Sequence, residues 1–274
     1  MTMKLQEKLW QEFLSDNEKI DLSSFKLKPS LNTDIWLNDD KLRPEIAVKL
    51  VEIAKNFMKN VGLDDIEIKD IVLTGSLANY NWSQYSDVDL HIMVDFDDID
   101  ENEELVREFF RGKSGNWNDR HDIKIRGFEV ELYVQDIDEP HVSTGIYSLM
   151  NDDWVVKPQK EDPVLDLDTT KKKAQRLIDL IDDIEKLYSE DKLREAYVSA
   201  QLMKEKIRKF RKCGLETPAG AYSPENLAFK VLRRNGYLGK LGDLRDNSYD
   251  RLMSIEENVK RRWYQYVDEV EKSL

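Results

Sequence analysis

The sequence predicts an α/β (α+β) protein in two parts: a small mixed β-sheet domain with flanking helices, then a C-terminal α-helical bundle. Three observations carry that expectation. Apolar residues alternate with polar ones through Val88-Asp89-Leu90-His91-Ile92 and again through Val130-Glu131-Leu132-Tyr133-Val134, the period of a half-buried strand. From Thr169 onward they recur at helical spacing instead, through Ala174, Leu177, Ile178, Ile181 and Ile184, then Ala196, Ala200, Met203 and Ile207. Between these regimes lies a polar stretch broken by Pro163, which reads as a linker over 159–168.

Residues 1–43 read as an amphipathic helix at 5–14 followed by an irregular leader with Pro29, Asn32 and Trp36. The sheet domain is expected over 44–158. Pro44 suits a first helical turn, Ile46, Leu50, Ile53, Ala54, Phe57 and Met58 mark one helix face, and Gly62 ends it. Strands follow at 66–73 and 88–95, joined through Gly75-Ser76 and an Asn79-Tyr80-Asn81-Trp82 segment. The acidic run 95–104 lacks the ligand and glycine spacing of an EF-hand, so it reads as a solvated lead into a helix near 105–110. An alternating stretch from His121 to Arg126 turns at Gly127-Phe128 into a strand at 129–134. Glu139 to Ser148 is polar and turn-rich, and Trp154-Val155-Val156 reads as an edge strand closed by Pro158. The helical domain is expected over 169–274, with breaks at Gly214, Pro218, Gly220 and Pro224, a short helix at 227–232, glycines at 236, 239 and 242, and a last helix at 249–270.

Composition bounds the class. The 274 residues are 40% hydrophobic and 35% charged, enough for one large or two modest domains, and no run approaches a membrane span. The charged N-terminus lacks the apolar stretch of a secretory signal, so a cytoplasmic location is expected. One cysteine, Cys213, excludes an intramolecular disulfide and any cysteine-rich zinc site. Residues 1–168 carry 19 Lys+Arg against 37 Asp+Glu, whereas 169–274 carry 23 against 18. A polyanionic partner would therefore meet the C-terminal half, at Lys204, Lys206, Arg208, Lys209, Arg211 and Lys212 or at Lys230, Arg233, Arg234 and Lys240. Solvated helix faces explain these clusters slightly better, because acids are interleaved with them.

The chemistry concentrates near residue 75. The apolar run Ile71-Val72-Leu73 ends at Thr74-Gly75-Ser76, which can open a short helix at 77–80 whose N–H groups face an anion. Glycine lets a phosphate approach closely, and Ser76 adds a hydroxyl donor. Asp87 and Asp89, two apart in a strand, project from one face and repel unless a cation lies between them. Hard oxygen ligands of this kind suit Mg²⁺. Either Glu129 or Glu131, on a neighbouring strand, would complete a three-carboxylate cluster for two ions, able to assist an in-line displacement at phosphorus. Taken singly, these residues read as a turn glycine, a capping serine and exposed strand-end acids. Their order and spacing together point to metal-dependent chemistry on a nucleotide.

Gly75-Ser76, Asp87-x-Asp89 and a later acid within Val130-Glu131-Leu132 together resemble the signature of the DNA polymerase β-like nucleotidyltransferase superfamily, over about residues 71–135. The resemblance implies that Gly75 and Ser76 bind the triphosphate and that Asp87, Asp89 and Glu131 hold two Mg²⁺ or Mn²⁺ ions. It further implies that Glu131, preferred over Glu129 for its apolar-acid-apolar context, helps activate an acceptor hydroxyl. Glutamate stands here where aspartate is usual. The implied reaction transfers a nucleoside monophosphate from a nucleoside triphosphate, ATP being the first expectation, with release of pyrophosphate. In the superfamily, helices appended to the sheet domain choose the acceptor. The basic clusters favour an RNA or tRNA end, while the overall acidity favours a protein, a small molecule or a second nucleotide. A non-catalytic nucleotide-binding module on the same fold is a further alternative. No DNA or membrane partner is expected.

His91 continues the Asp87 and Asp89 face and could hydrogen-bond a metal-bound carboxylate or a phosphate, or simply complete a local polar network. His121 and His141 offer no metal-ligand spacing. Tyr80, Trp82 and Tyr85 lie where a base could stack, although packing within the domain explains them more simply.

Overall fold

The computed structural model describes residues 20, 22–38, 40–140, 143–160, 163–254, 266 and 272. The helix expected at 5–14, His141 and nearly all of 255–270 lie outside the described residues. The chain divides into two compact units, one spanning Ser23–Asp162 and the other containing Pro163–Leu274. The architecture is mixed α/β. No helix among the described residues is long and apolar enough to cross a membrane.

The first unit runs α1 (Pro44–Asn60), β1 (Asp70–Thr74), β2 (Val88–Val94), α2 (Glu103–Arg120), β3 (Lys124–Ile125), β4 (Phe128–Asp136), β5 (Ile146–Ser148) and β6 (Asp153–Val156). Its six strands form one sheet in the order β3-β4-β2-β1-β5-β6. Only β2 and β4 pair in parallel, and α2 supplies the crossover that parallel neighbours need. β3 and β4 form a hairpin through Arg126 and Gly127, both at positive φ, the conformation that suits a two-residue turn to the strand twist. Asn102 caps α2 by accepting the Leu105 N–H at 3.2 Å.

Strand parity decides which face carries what. Ile71 and Leu73 of β1, Val88, Leu90, Ile92 and Val94 of β2, and Val130 and Leu132 of β4 enter one core cluster with the buried face of α1 and with Val106 and Phe110 of α2. The alternate residues Asp89, His91, Glu131, Tyr133 and Gln135 therefore occupy the other face, ordered from a rigid, apolar underside.

Three local expectations change. The leader is not a separate element: from Ser23 onward it belongs to the sheet unit, with Leu31, Ile35, Trp36 and Leu42 in the core. Trp36 stacks on Trp154 at 4.7 Å, meets Tyr147 edge-on at 5.1 Å, and donates its indole N–H to the Leu77 carbonyl at 2.7 Å. The polar stretch before residue 149 contains β5, which pairs with β1 inside the sheet and buries Tyr147 completely. The strand expected at 66–73 starts only at Asp70.

The second unit contains α3 (Leu167–Ser189), α4 (Leu193–Leu215), α5 (Pro224–Arg234) and α6 (Tyr237–Met253). α4 packs on α6 and α3 on α5. Gly239 and Gly242 lie inside α6 rather than breaking it, and the break falls at Gly236, φ +73°. Asp166 caps α3, while Ser223 caps α5 with Pro224 in its first turn. The Lys173 ammonium contacts the Glu225 carboxylate and, mainly through that hydrogen bond, holds it below the usual carboxylate range.

Trp36→Ala should cost about 3–5 kcal/mol in urea unfolding, the range for emptying a large aromatic site. Glu225→Gln should cost at most about 1 kcal/mol at neutral pH. Because the folded pKa is depressed, that difference should be present above the unfolded value and vanish as pH falls through the folded one, which unfolding curves across the acid range would show.

Candidate metal centre

β1, β2 and β4 lie side by side, and their register builds the site. Asp89 is paired with Thr74 on one side and with Glu131 on the other. Asp87 immediately precedes β2. The three carboxylates Asp87, Asp89 and Glu131 each offer an oxygen within 4.8 Å of the others, and all three residues are half-buried. Glu129 does not join them: it is exposed and lies opposite Lys124, 3.7 Å from its ammonium. Register thus selects Glu131, because it sits directly beside Asp89.

Gly75 has φ +75°, a conformation that suits glycine, and its Cα lies against the Asp89 carboxylate. A Cβ at this position would stand 1.7 Å from Asp89 Oδ2. The glycine therefore leaves room for the second carboxylate of the cluster. Residues 75–80 form turns rather than the expected short helix, with one bond from the Asn79 N–H to the Ser76 carbonyl at 3.1 Å. The helix-terminus argument for anion binding does not hold here. What remains is a glycine turn packed against Asp89.

That turn is held from several sides. Asn79 Nδ2 donates to Thr144 Oγ1 at 2.6 Å, and a Cβ on Gly145 would meet the Ala78 carbonyl oxygen at 2.0 Å. The segment before β5 therefore braces the turn. Ser76 Oγ hydrogen-bonds Ser86 Oγ at 2.7 Å, and Ser86 Oγ accepts the Ser83 N–H at 3.0 Å. This network ties the Gly-Ser turn to the loop that presents Asp87.

Tyr133 completes the carboxylate face. Its phenol donates to Glu131 Oε2 at 2.5 Å. Burial first, then that hydrogen bond and the charges of Glu131, Asp89 and Asp87, raise its pKa well above the ordinary tyrosine range. His91 lies 5.2 Å from the Tyr133 ring and pairs through Nδ1 with Gln135 Oε1 at 3.1 Å. Tyr80 and Trp82 pack on the core, whereas Tyr85 is 45% exposed. Sequence reasoning passed over Tyr133, although its two-residue spacing from Glu131 placed it on the same face.

Beyond β4 an open cleft of 630 Å³ is lined by Arg107, Arg111, Ser114 and Asn118 of α2 and by Glu131 and Tyr133. Asn118 accepts the Leu132 N–H at 2.9 Å and donates to the Leu132 carbonyl at 3.1 Å. Arg107 pairs with Glu139, and Arg111 with Glu108 at 3.1 Å. No motif announced this cleft in the sequence, since it depends on where α2 lies along the strand.

The donor set consists of carboxylate oxygens, which suits a hard divalent cation. Two metal–oxygen bonds of about 2.0–2.6 Å placed end to end span about 4–5 Å, which matches the spacing of the cluster. No protein-family model matches the chain, and no curated protein matches it in sequence.

Glu131→Gln should weaken Mn²⁺ binding by isothermal titration calorimetry, while Glu129→Gln leaves it at the wild-type value. Gly75→Ala should lower Mn²⁺ affinity about tenfold or more, the scale of losing a group that orients a ligand. Unchanged affinity would show that Asp89 can move off the turn without consequence.

Proposed function

We propose that the protein is a metal-dependent nucleotidyltransferase, which moves a nucleoside monophosphate from a nucleoside triphosphate, ATP first among them, to an acceptor hydroxyl. The observation that carries this reading is the meeting of Asp87, Asp89 and Glu131 within 4.8 Å, with Gly75 packed directly against Asp89. The resemblance of these residues, in this order, to the DNA polymerase β-like nucleotidyltransferases supports it.

In this reading Asp87, Asp89 and Glu131 hold two Mg²⁺ or Mn²⁺ ions, which when bound neutralise phosphate charge and lower the pKa of the attacking hydroxyl. Gly75 keeps the turn open so that phosphate oxygens can reach its backbone, and Ser76 exchanges its bond to Ser86 for one to the triphosphate. Glu131 accepts the proton of the acceptor hydroxyl, and pyrophosphate leaves. Catalysis rests on positioning and charge rather than on a covalent intermediate of the protein.

An RNA end as acceptor gains less from the helical unit than the sequence suggests. Lys209 lies 4.0 Å from Glu205 and Lys212 3.7 Å from Glu216, while Lys240 meets both Asp182 and Glu185 at 2.7 Å. Arg211 lies over the Phe229 ring at 4.3 Å. Lys240 is thus held between two acids, whereas Lys209 and Lys212 keep side chains 71% and 76% exposed, so the basic clusters do not decide between an RNA end and a protein, small-molecule or nucleotide acceptor.

Incubation with α-³²P-labelled triphosphates, Mn²⁺ and separated RNA, protein and small-molecule fractions should label one fraction. Asp87→Asn with Asp89→Asn should reduce transfer to background with an unchanged circular dichroism spectrum. Equal labelling by that variant would sink the mechanism, and triphosphate binding without transfer would point to a non-catalytic module.

A further inference from the structure

Glu131 already holds a hydroxyl group. Tyr133 stands two residues further along β4, on the same face, and its Oη donates to Glu131 Oε2 at 2.5 Å. If the nucleotidyl-transfer reading holds, this is the place of the acceptor, whose hydroxyl gives its proton to Glu131. The Tyr133 side chain is also partly open to solvent. Tyr133 is 37% exposed, and with Glu131 it lines the 630 Å³ cleft along α2. That volume lies within the roughly 300–1,000 Å³ that small ligands occupy.

The chemistry of the cleft wall suits a phosphate-bearing group. Arg107 and Arg111 of α2 line it, and guanidinium groups pair well with phosphate oxygens. A phenol that served only to orient Glu131 would need no open cleft beside it.

We propose that Tyr133 is itself an acceptor, so that the protein transfers a nucleoside monophosphate to its own phenol. Tyr133 Oη attacks the α-phosphorus of a triphosphate seated at the Gly75-Ser76 turn. The Oη–P bond forms, the bond from the α-phosphorus to the bridging oxygen breaks, and pyrophosphate leaves with its electron pair. The phenolic proton passes to Glu131 Oε2. No oxidant or reductant is involved, and the triphosphate is the only co-reactant. The attached nucleotide lies in the cleft, flanked by Arg107 and Arg111.

The test uses the full-length protein with Mn²⁺ and each nucleoside triphosphate in turn, followed by intact-mass measurement and peptide mapping. The expected result is a gain of one nucleoside monophosphate on the peptide bearing Tyr133, reversed by phosphodiesterase and lost in Tyr133→Phe. A second readout needs no turnover: a non-hydrolysable α,β-methylene triphosphate with Mn²⁺ should slow nitration of Tyr133 by tetranitromethane. If the protein labels an external acceptor while Tyr133 carries no adduct, the proposal is overturned and the nucleotidyl-transfer reading stands. Protection from nitration without any adduct overturns it as well. Failure to bind metal and triphosphate removes both.

Discussion

Three carboxylates crowded on one patch of sheet repel each other, and the first unit is arranged so that they stay together. Held within 4.8 Å of each other, two such charges repel by about 1 kcal/mol or more in a water-like medium and several times that at the lower effective dielectric of a half-buried surface. The sheet withstands this because the opposite faces of β1, β2 and β4 are locked into the apolar core, so no strand can rotate its acid away without exposing the residues beneath. Gly75 lets Asp89 settle, Ser86 ties the Asp87 loop to the turn, and Tyr133 donates into Glu131. Each of these contacts either makes room for negative charge or holds the chain that carries it. The strain is therefore held locally, in a form that a divalent cation relieves.

The sequence disclosed the parts of this arrangement that depend on period and order. Parity alone placed Asp87, Asp89 and Glu131 on strand faces, and Pro44 lies in a first helical turn as its fixed φ requires. The choice between Glu129 and Glu131 was not legible in parity, since both face the same way; it follows from the parallel register of β2 and β4, a long-range property. β5 escaped notice because three residues including Ser148 are too few for a period, and it exists only because β1 offers an edge. Gly239 and Gly242 read as breakers, yet packing of α6 on α4 overrides their low helix propensity.

The leader teaches a related point. Pro29, Asn32 and the isolated Trp36 have no regular period, so nothing local predicts that they enter a core. Their role is set by distant partners: Trp36 lies between Tyr147, Trp154 and the Leu77 carbonyl. Through that last bond an irregular segment far upstream in the chain steadies the turn on which Asp89 rests. A substitution at Trp36 would thus be read as a stability defect although it also loosens the site.

Asn118 carries a consequence of a different kind. A strand at the margin of a sheet displays backbone groups that another chain could pair with, and β4 is at such a margin once the short β3 has ended. By giving Leu132 both an acceptor and a donor, the Asn118 amide imitates the peptide group of a neighbouring strand. One side chain from a helix thereby closes a templating edge beside an open cleft, and the protein can keep that cleft accessible without inviting a second copy of itself to add a strand there.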